Sequence, residues 1–456
     1  MPHIEIGGPQ CVFFARHAQV VPMPVITRAH GVHMWDEDDN AYMDVSSGPI
    51  VSNIGHGNAH VVEAMAEQAH TMCYAFPQVA RNRPNMAYTE RLAKLAGPGF
   101  ERVCLASGGS EAMEAALRFV RQYAVATGKA AKRKIITLDP CYHGATLATL
   151  ALNQDPSLET FLDGFTVGAE KVTAPFSYRL PGWHTPDSYA LYCAEQLERK
   201  IVALGADTVL AFVMEPVGGL SSGCVVPPAA YFRAVRDICT RHGVFLIFDE
   251  VVSGMGRTGK FLAAHHWPDT LPDIVVMAKA MGAGYTPLGA MLAPAALVDE
   301  LAETVGYPFA FSSFANPISC AVGSAILDEY DRLSLMTCAV RQGLKIRDGL
   351  KDIQSRSSVI GDIRGIGLLM AVEMVADQKT KASLPGDIGA TERIRVHGLT
   401  NGLMIYARPA FGRRNGDWFI VAPPLTITDG ECTDMLRRLE ATITDFEAEL
   451  RQRDVL

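Results

Sequence analysis

Val244-Phe-Leu-Ile-Phe-Asp249-Glu250 and Asp273-Ile-Val-Val-Met-Ala-Lys279-Ala-Met-Gly-Ala-Gly284 carry the reading of this chain. Each holds a short, unbroken apolar run, too brief for a helix and without the alternation of a half-exposed strand. Such runs fit strands buried on both faces, hence a mostly parallel sheet covered by helices. Each run is followed by a group that chemistry can use: a carboxylate at Asp249 and an amine at Lys279.

Working outward, Lys134-Ile-Ile-Thr-Leu-Asp139 and Thr208-Val-Leu-Ala-Phe-Val-Met-Glu215 repeat the strand pattern. The stretches from Glu111 to Val125 and from Pro228 to His242 place apolar residues at helical spacing, and the second supplies a crossover between two strands. Near the start, Gly31 to Asp36 and Ala41 to Asp44 flank a polar turn, a hairpin signal. A loop, Ser46-Ser-Gly48-Pro49-Ile50, follows. From about Leu327 the chain is more charged, with glycine-bounded strands at Gly367 to Glu373 and Trp418 to Ala422. The expected organisation is a segment 1–70 contributing to a small domain, a large α/β domain over 71–326, and a small α+β domain over 327–456.

Composition narrows the classes. At 456 residues, 48% hydrophobic and 20% charged, the chain reads as folded and globular. A net charge of −8 without a dense basic cluster argues against nonspecific nucleic-acid binding. Ten cysteines without a C-x-x-C pair read as reduced thiols, not as a disulfide frame or zinc site. No apolar run is long enough to span a bilayer, and no secretory signal is visible. The expectation is a soluble, cytoplasmic protein with no membrane partner.

Ala106-Ser107-Gly108-Gly109-Ser110-Glu111-Ala112 closes a strand-like run and opens a helix. Glycines there let the backbone come close to an anion, the first helical amides attract it, and Ser110 suits an N-cap. The spacing is that of neither a dinucleotide fingerprint nor a P-loop. Tyr142, in Cys141-Tyr142-His143-Gly144, could stack on a flat ring. Glu215 and Asp249 put acids at carboxyl ends of strands, where ligands of open α/β sheets bind. Singly, each has an ordinary reading as a strand end, a helix entry or a turn. Together they supply what pyridoxal phosphate (PLP) needs: an amine for its aldehyde, an anion for its ring nitrogen and a phosphate cradle.

In this order the segments resemble the class III (ω-amino acid:pyruvate type) aminotransferases of PLP fold type I. The carriers are Ser107 to Ala112, Tyr142-His-Gly144, Glu215-Pro-Val217, Leu246 to Gly259 with its Gly-Met-Gly-Arg-Thr-Gly, Ala278 to Gly284, and Gly361-Asp-Ile-Arg-Gly365. The resemblance covers about Val20 to Leu450. It implies that Lys279 joins the cofactor as a Schiff base and later moves the proton, while Asp249 pairs with the protonated ring nitrogen. Val251 and Tyr142 then cover opposite ring faces, Gly108, Gly109 and Ser110 hold the phosphate, and His143 and Glu215 support the ring side. Ser312 stands where a threonine reaches the phosphate of a neighbouring subunit. That implies a homodimer with shared active sites, with a tetramer as the larger alternative.

The implied reaction is ping-pong transfer of an amino group from an ω-amino acid or primary amine to a 2-oxo acid, with pyruvate favoured. Many members carry an arginine for a substrate carboxylate just before Ala422-Pro423-Pro424, where this chain has Ile420. Arg408 takes the place of a mobile carboxylate-binding arginine, with Arg413 and Arg414 as rivals. Gly218-Gly219-Leu220-Ser221 lacks the glutamate of 4-aminobutyrate-type enzymes, which weakens a 2-oxoglutarate gate. Pro49-Ile50 replaces the usual Leu-Trp, so Ile50 is expected at a reshaped donor pocket. Pro49 also replaces the glutamine of dialkylglycine decarboxylase. Decarboxylation-dependent transamination and noncatalytic PLP binding are the alternative readings.

Overall fold

All six residues of Val209–Met214 and all four of Ile274–Met277 are buried, as strands covered on both faces must be. The computed structural model describes residues 23–153, 159–163, 168–219, 221–307, 310–409 and 416–456. A first sheet opens with β1 (Ile26–His30), β2 (His33–Asp36) and β3 (Ala41–Asp44). β2 and β3 pair antiparallel, Trp35 opposite Ala41, as the polar turn between them predicts.

The central sheet follows: β4 (Arg102–Ala106), β5 (Lys134–Asp139), β6 (Glu170–Thr173), β7 (Val209–Met214), β8 (Phe245–Asp249), β9 (Ile274–Met277) and β10 (Gly289–Ala293). Its spatial order is β4-β10-β9-β8-β7-β5-β6. The pairs from β9 through β8, β7 and β5 to β6 are parallel. β10 runs antiparallel to both its neighbours. In register, Asp249 of β8 lies beside Val276 of β9, so Lys279 leaves the sheet just past the level of Asp249.

The crossover from β7 to β8 is the helix Ala229–Arg241, which buries Tyr231, Phe232, Val235, Ile238 and Cys239 on one face. Phe232 meets Phe248 of β8 edge-on and stacks on Trp267 with ring centroids 3.8 Å apart. Burying one such ring is worth roughly 1.5–3 kcal/mol. On the other face the helix Gly109–Ala126 turns Ala112, Ala115, Ala116 and Ala124 inward. These small side chains let its axis sit close to the sheet.

The remaining sheet holds β11 (Ile360–Ile366), β12 (Leu369–Met374), β14 (Tyr406–Pro409) and β15 (Asp417–Val421) in the antiparallel order β11-β12-β15-β14. β13 (Leu403–Met404) instead runs parallel to β3, so the start and end of the chain share the first sheet. Arg257, fully buried, ties distant stretches together. Its guanidinium donates to Leu368 O at 3.1 Å, Pro423 O at 2.6 Å, Ser47 Oγ at 3.2 Å and the Asn53 amide oxygen.

Two local expectations change. Ser110 is not the N-cap: Gly108 caps the helix, and Ser110 lies in its first turn with its hydroxyl accepting Ala145 N at 3.0 Å. Ser47–Ile50 coils into a short turn, with Ser47 and Ile50 at positive φ. His60 belongs to the helix Ala59–Thr71 and pairs with Asp328 at 3.1 Å. Among the described residues no helix is long and apolar enough to cross a membrane.

Candidate active site

The carboxyl ends of the parallel strands open onto a cavity of about 410 Å³, within the range of small-molecule sites. Gly108, Gly109 and Ser110 line it from the turn after β4, Tyr142 and His143 from the segment after β5, and Glu215 from the end of β7. Asp249 and Val251 enter from β8 and Lys279 from the end of β9. Lys279 adopts φ +47°, a left-handed conformation rare for a side chain of this kind. A residue held so at a strand end marks a place where geometry has been favoured over backbone ease.

Both oxygens of Asp249 are fixed. Oδ1 accepts the Val251 amide at 3.0 Å and Oδ2 lies 2.8 Å from His143 Nδ1. Burial alone would lower the His143 pKa, but Cys141 and Asp249 outweigh it and raise it to about 10. The two side chains form a buried hydrogen-bonded pair in the cavity wall, which fixes the direction of the Asp249 carboxyl group. Lys279 shows the opposite balance. Burial brings its amine down to about 8, and Asp249 and Glu215 keep it from falling further. Glu215 is raised by burial, opposed by the cation of His143 and by two hydrogen bonds. Glu250, buried behind the site, accepts the amides of Ala263 and Ala264 at 2.5 and 2.8 Å and is pushed up to about 7 by burial.

The phosphate end is built by close approach. A Cβ placed on Gly109 would lie 3.1 Å from both methyls of Val251, and one on Gly289 would lie 2.6 Å from Gly108 O. Glu111 Oε2 takes the Ser107 amide at 2.8 Å. The amides of the first helical turn have no carbonyl within the helix to bond, which leaves them to an anion.

Some expected positions lie elsewhere. Ile50 is buried in an apolar cluster with Val217, Trp418 and Ile420, and its neighbour Val51 lines the cavity instead. Ser312 is exposed, its carbonyl accepting the Tyr74 hydroxyl at 2.8 Å, and is absent from the lining of this chain's own cavity. Arg408 sits on β14 opposite Trp418, but its side chain lies outside the described residues, as do Arg413 and Arg414. Sequence reasoning missed Thr286, Pro287 and Leu288, which line the cavity between Lys279 and β10. Their signal was the short apolar run Gly289–Ala293 just after the glycine-rich turn.

These residues fit pyridoxal phosphate: a buried amine of lowered pKa, a fixed carboxylate, an aromatic ring at Tyr142, and a glycine cradle in which Gly109 lies close against Val251. A site of this kind on this sheet is that of a fold type I PLP enzyme. The chain belongs to the class III aminotransferases, whose family model matches residues 13–443. It is 32% identical over 435 residues to the diaminobutyrate–2-oxoglutarate transaminase of Halomonas elongata, covering 92% of this chain and 90% of that protein. Putrescine–pyruvate aminotransferase of Pseudomonas aeruginosa is 30% identical over 418 residues, covering 90% and 88% respectively. An amine transaminase from an uncultivated Pseudomonas species, solved in its PLP-bound form, superposes with a TM-score of 0.88 at 32% identity, covering 97% of this chain and 99% of that one.

Proposed function

We propose that this aminotransferase takes its amino group from an ω-amino acid or a primary amine and delivers it to pyruvate. The observation that carries the donor side is Ile420. It is fully buried among apolar side chains, at the place where many family members keep an arginine for a donor carboxylate. A donor whose reacting end carries no carboxylate suits a site without that arginine. For the acceptor, the missing glutamate in the Gly218–Ser221 stretch and the pyruvate-using relative from Pseudomonas aeruginosa support pyruvate. Arg408 is the proposed partner of the 2-oxo acid's carboxylate, since a guanidinium forks onto a carboxylate through two hydrogen bonds.

When bound, pyridoxal phosphate supplies an electron-withdrawing ring that acidifies the donor carbon beside the amine. Lys279 would hold its aldehyde end, Asp249 its ring nitrogen, Tyr142 and Val251 its two faces, and Gly108, Gly109 and Ser110 its phosphate. With its pKa lowered to about 8, the Lys279 amine is more readily neutral than a solvated lysine and serves as the base at the donor carbon. His143, 2.8 Å from Asp249 Oδ2, orients that carboxyl group, and the apolar walls of Val51 and Leu288 limit water.

The reading includes a homodimer in which Ser312 reaches the neighbour's phosphate, with residues 71–326 as the cofactor-holding region. Tyr74 and Val79 support it: they lie 45% and 82% exposed, and Tyr74 adjoins Ser312. Nine cysteines are free thiols among the described residues, in keeping with a cytoplasmic setting.

The test is a donor screen with the loaded enzyme. Diamines, ω-amino acids and simple primary amines are offered against pyruvate and against 2-oxoglutarate, and the amino-acid product is identified. Alanine formation is expected. Glutamate as the only product would replace the acceptor, and carbon dioxide release from a dialkylglycine without turnover of amines would overturn the donor class.

A further inference from the structure

Glu215 faces Lys279 from the end of β7 in a place where a carboxylate is costly. Asp249 at the end of β8 opposes its charge, while Lys279 after β9 and His143 after β5 favour it; Cys224 lies on its own loop. Two hydrogen bonds also hold it, both from one short stretch of loop. The Gly219 amide donates to Oε1 at 2.8 Å and the Ser221 hydroxyl donates to Oε2 at 3.0 Å. Ser221 is 1% exposed, so water does not stand in for it.

The described glycines of this loop are closely packed. A Cβ on Gly218 would lie 1.9 Å from Ser222 Oγ, one on Gly219 2.6 Å from Glu215 Oε1, and one on Gly223 2.6 Å from Arg364 Nη2. Arg364, on β11, reaches across and donates to Gly223 O at 2.6 Å and Ser222 O at 3.4 Å. Its guanidinium is itself held by Asp362 at 3.0 Å and by the buried Glu373 at 2.5 Å. The hydroxyl that meets Glu215 is thus fixed from behind by an arginine of the antiparallel sheet.

We propose that Ser221 is a positioning residue of the amino-transfer site: clamped through Ser222 and Gly223 by Arg364, its hydroxyl keeps Glu215 a carboxylate directed at Lys279. The proposal rests on Lys279 being the cofactor-bearing lysine. Without the hydroxyl, Glu215 keeps one amide donor, and its burial beside Asp249 favours the neutral acid. A neutral Glu215 no longer helps to hold positive charge on the Lys279 nitrogen.

The test is pH-difference infrared spectroscopy of the full-length, cofactor-loaded protein, with the Glu215 carboxyl band assigned by its loss in Glu215→Gln. In Ser221→Ala the midpoint of Glu215 protonation should move up by roughly one to two pH units, the worth of one hydrogen bond to a carboxylate. Ser221→Thr, which keeps the hydroxyl, should restore it, and Arg364→Gln should move it in the same direction as Ser221→Ala. An unmoved midpoint in Ser221→Ala overturns the proposal even if the protein melts earlier, because a purely structural serine would change melting alone. Borohydride reduction and peptide mapping separate the two readings. A label away from position 279 sinks the lysine assignment, whereas a label at 279 with an unmoved Glu215 midpoint sinks only the role of Ser221.

Discussion

Gly109→Ala isolates the cradle from the rest of the fold. The added methyl would stand 3.1 Å from both Val251 methyl carbons and 3.5 Å from Ala278 Cβ. Carbon atoms in good contact lie about 3.5–4.0 Å apart, so Val251 must give way by at least about 0.4 Å. The direction open to it is the cavity that both residues line, onto the face of the cofactor ring. Overpacking of this size costs about 1–3 kcal/mol, here charged mainly to the loaded state, so PLP affinity should fall roughly 5- to 150-fold. The backbone at Gly109 is not left-handed, and alanine is the better helix former, so the cofactor-free protein should melt no earlier than the parent. The assay pairs an absorbance titration of PLP into the cofactor-free protein with its thermal melt. Adding Val251→Ala to Gly109→Ala should recover part of the affinity by making room, a coupling that independent sites lack. Unchanged affinity in Gly109→Ala, or a melt that falls in step with affinity, would refute the reasoning.

Lys279→Ala should abolish transamination while PLP still binds without a covalent link, read as the loss of any borohydride-fixed label; full activity in this variant would end the assignment. Glu250 releases its proton near pH 7 in the folded state but near its usual 4.5 when unfolded, so it subtracts stability as pH rises through that window. Glu250→Gln should flatten the slope of denaturant stability between pH 5 and pH 8 by up to about 3 kcal/mol, and an identical slope in both proteins would contradict this. Arg257→Met leaves four buried acceptors short of a donor, and should destabilise by at least about 4 kcal/mol in chemical denaturation; a loss below about 1 kcal/mol would show that the acceptors find other partners.

The central sheet was readable because its strands are buried on both faces, which forces unbroken apolar runs such as Val244 to Phe248. Lys279, Asp249 and Glu215 were readable for a related reason: a polar group directly after such a run has to leave the sheet at its edge. β10 was harder, since Gly289–Ala293 is small and apolar and nothing local marks it as antiparallel. Ile50 and Val51 differ in which one meets the cavity, and a positive φ at Ile50 settles that, a backbone fact with no signature in side-chain type. The bonds from Arg364 to Ser222 and Gly223 join residues far apart in the chain, and a serine or arginine by itself does not announce its partner.

The buried guanidinium of Arg257 also bears on how the molecule comes to be made. Its acceptors are spread from Ser47 to Pro423, so on the ribosome it waits from position 257 to position 423 for its last carbonyl. A chain cut short before that point would have to hide a cation with part of its shell missing. Synthesis past Pro423, more than growth of the first half, is then the step that completes the shell of this arginine.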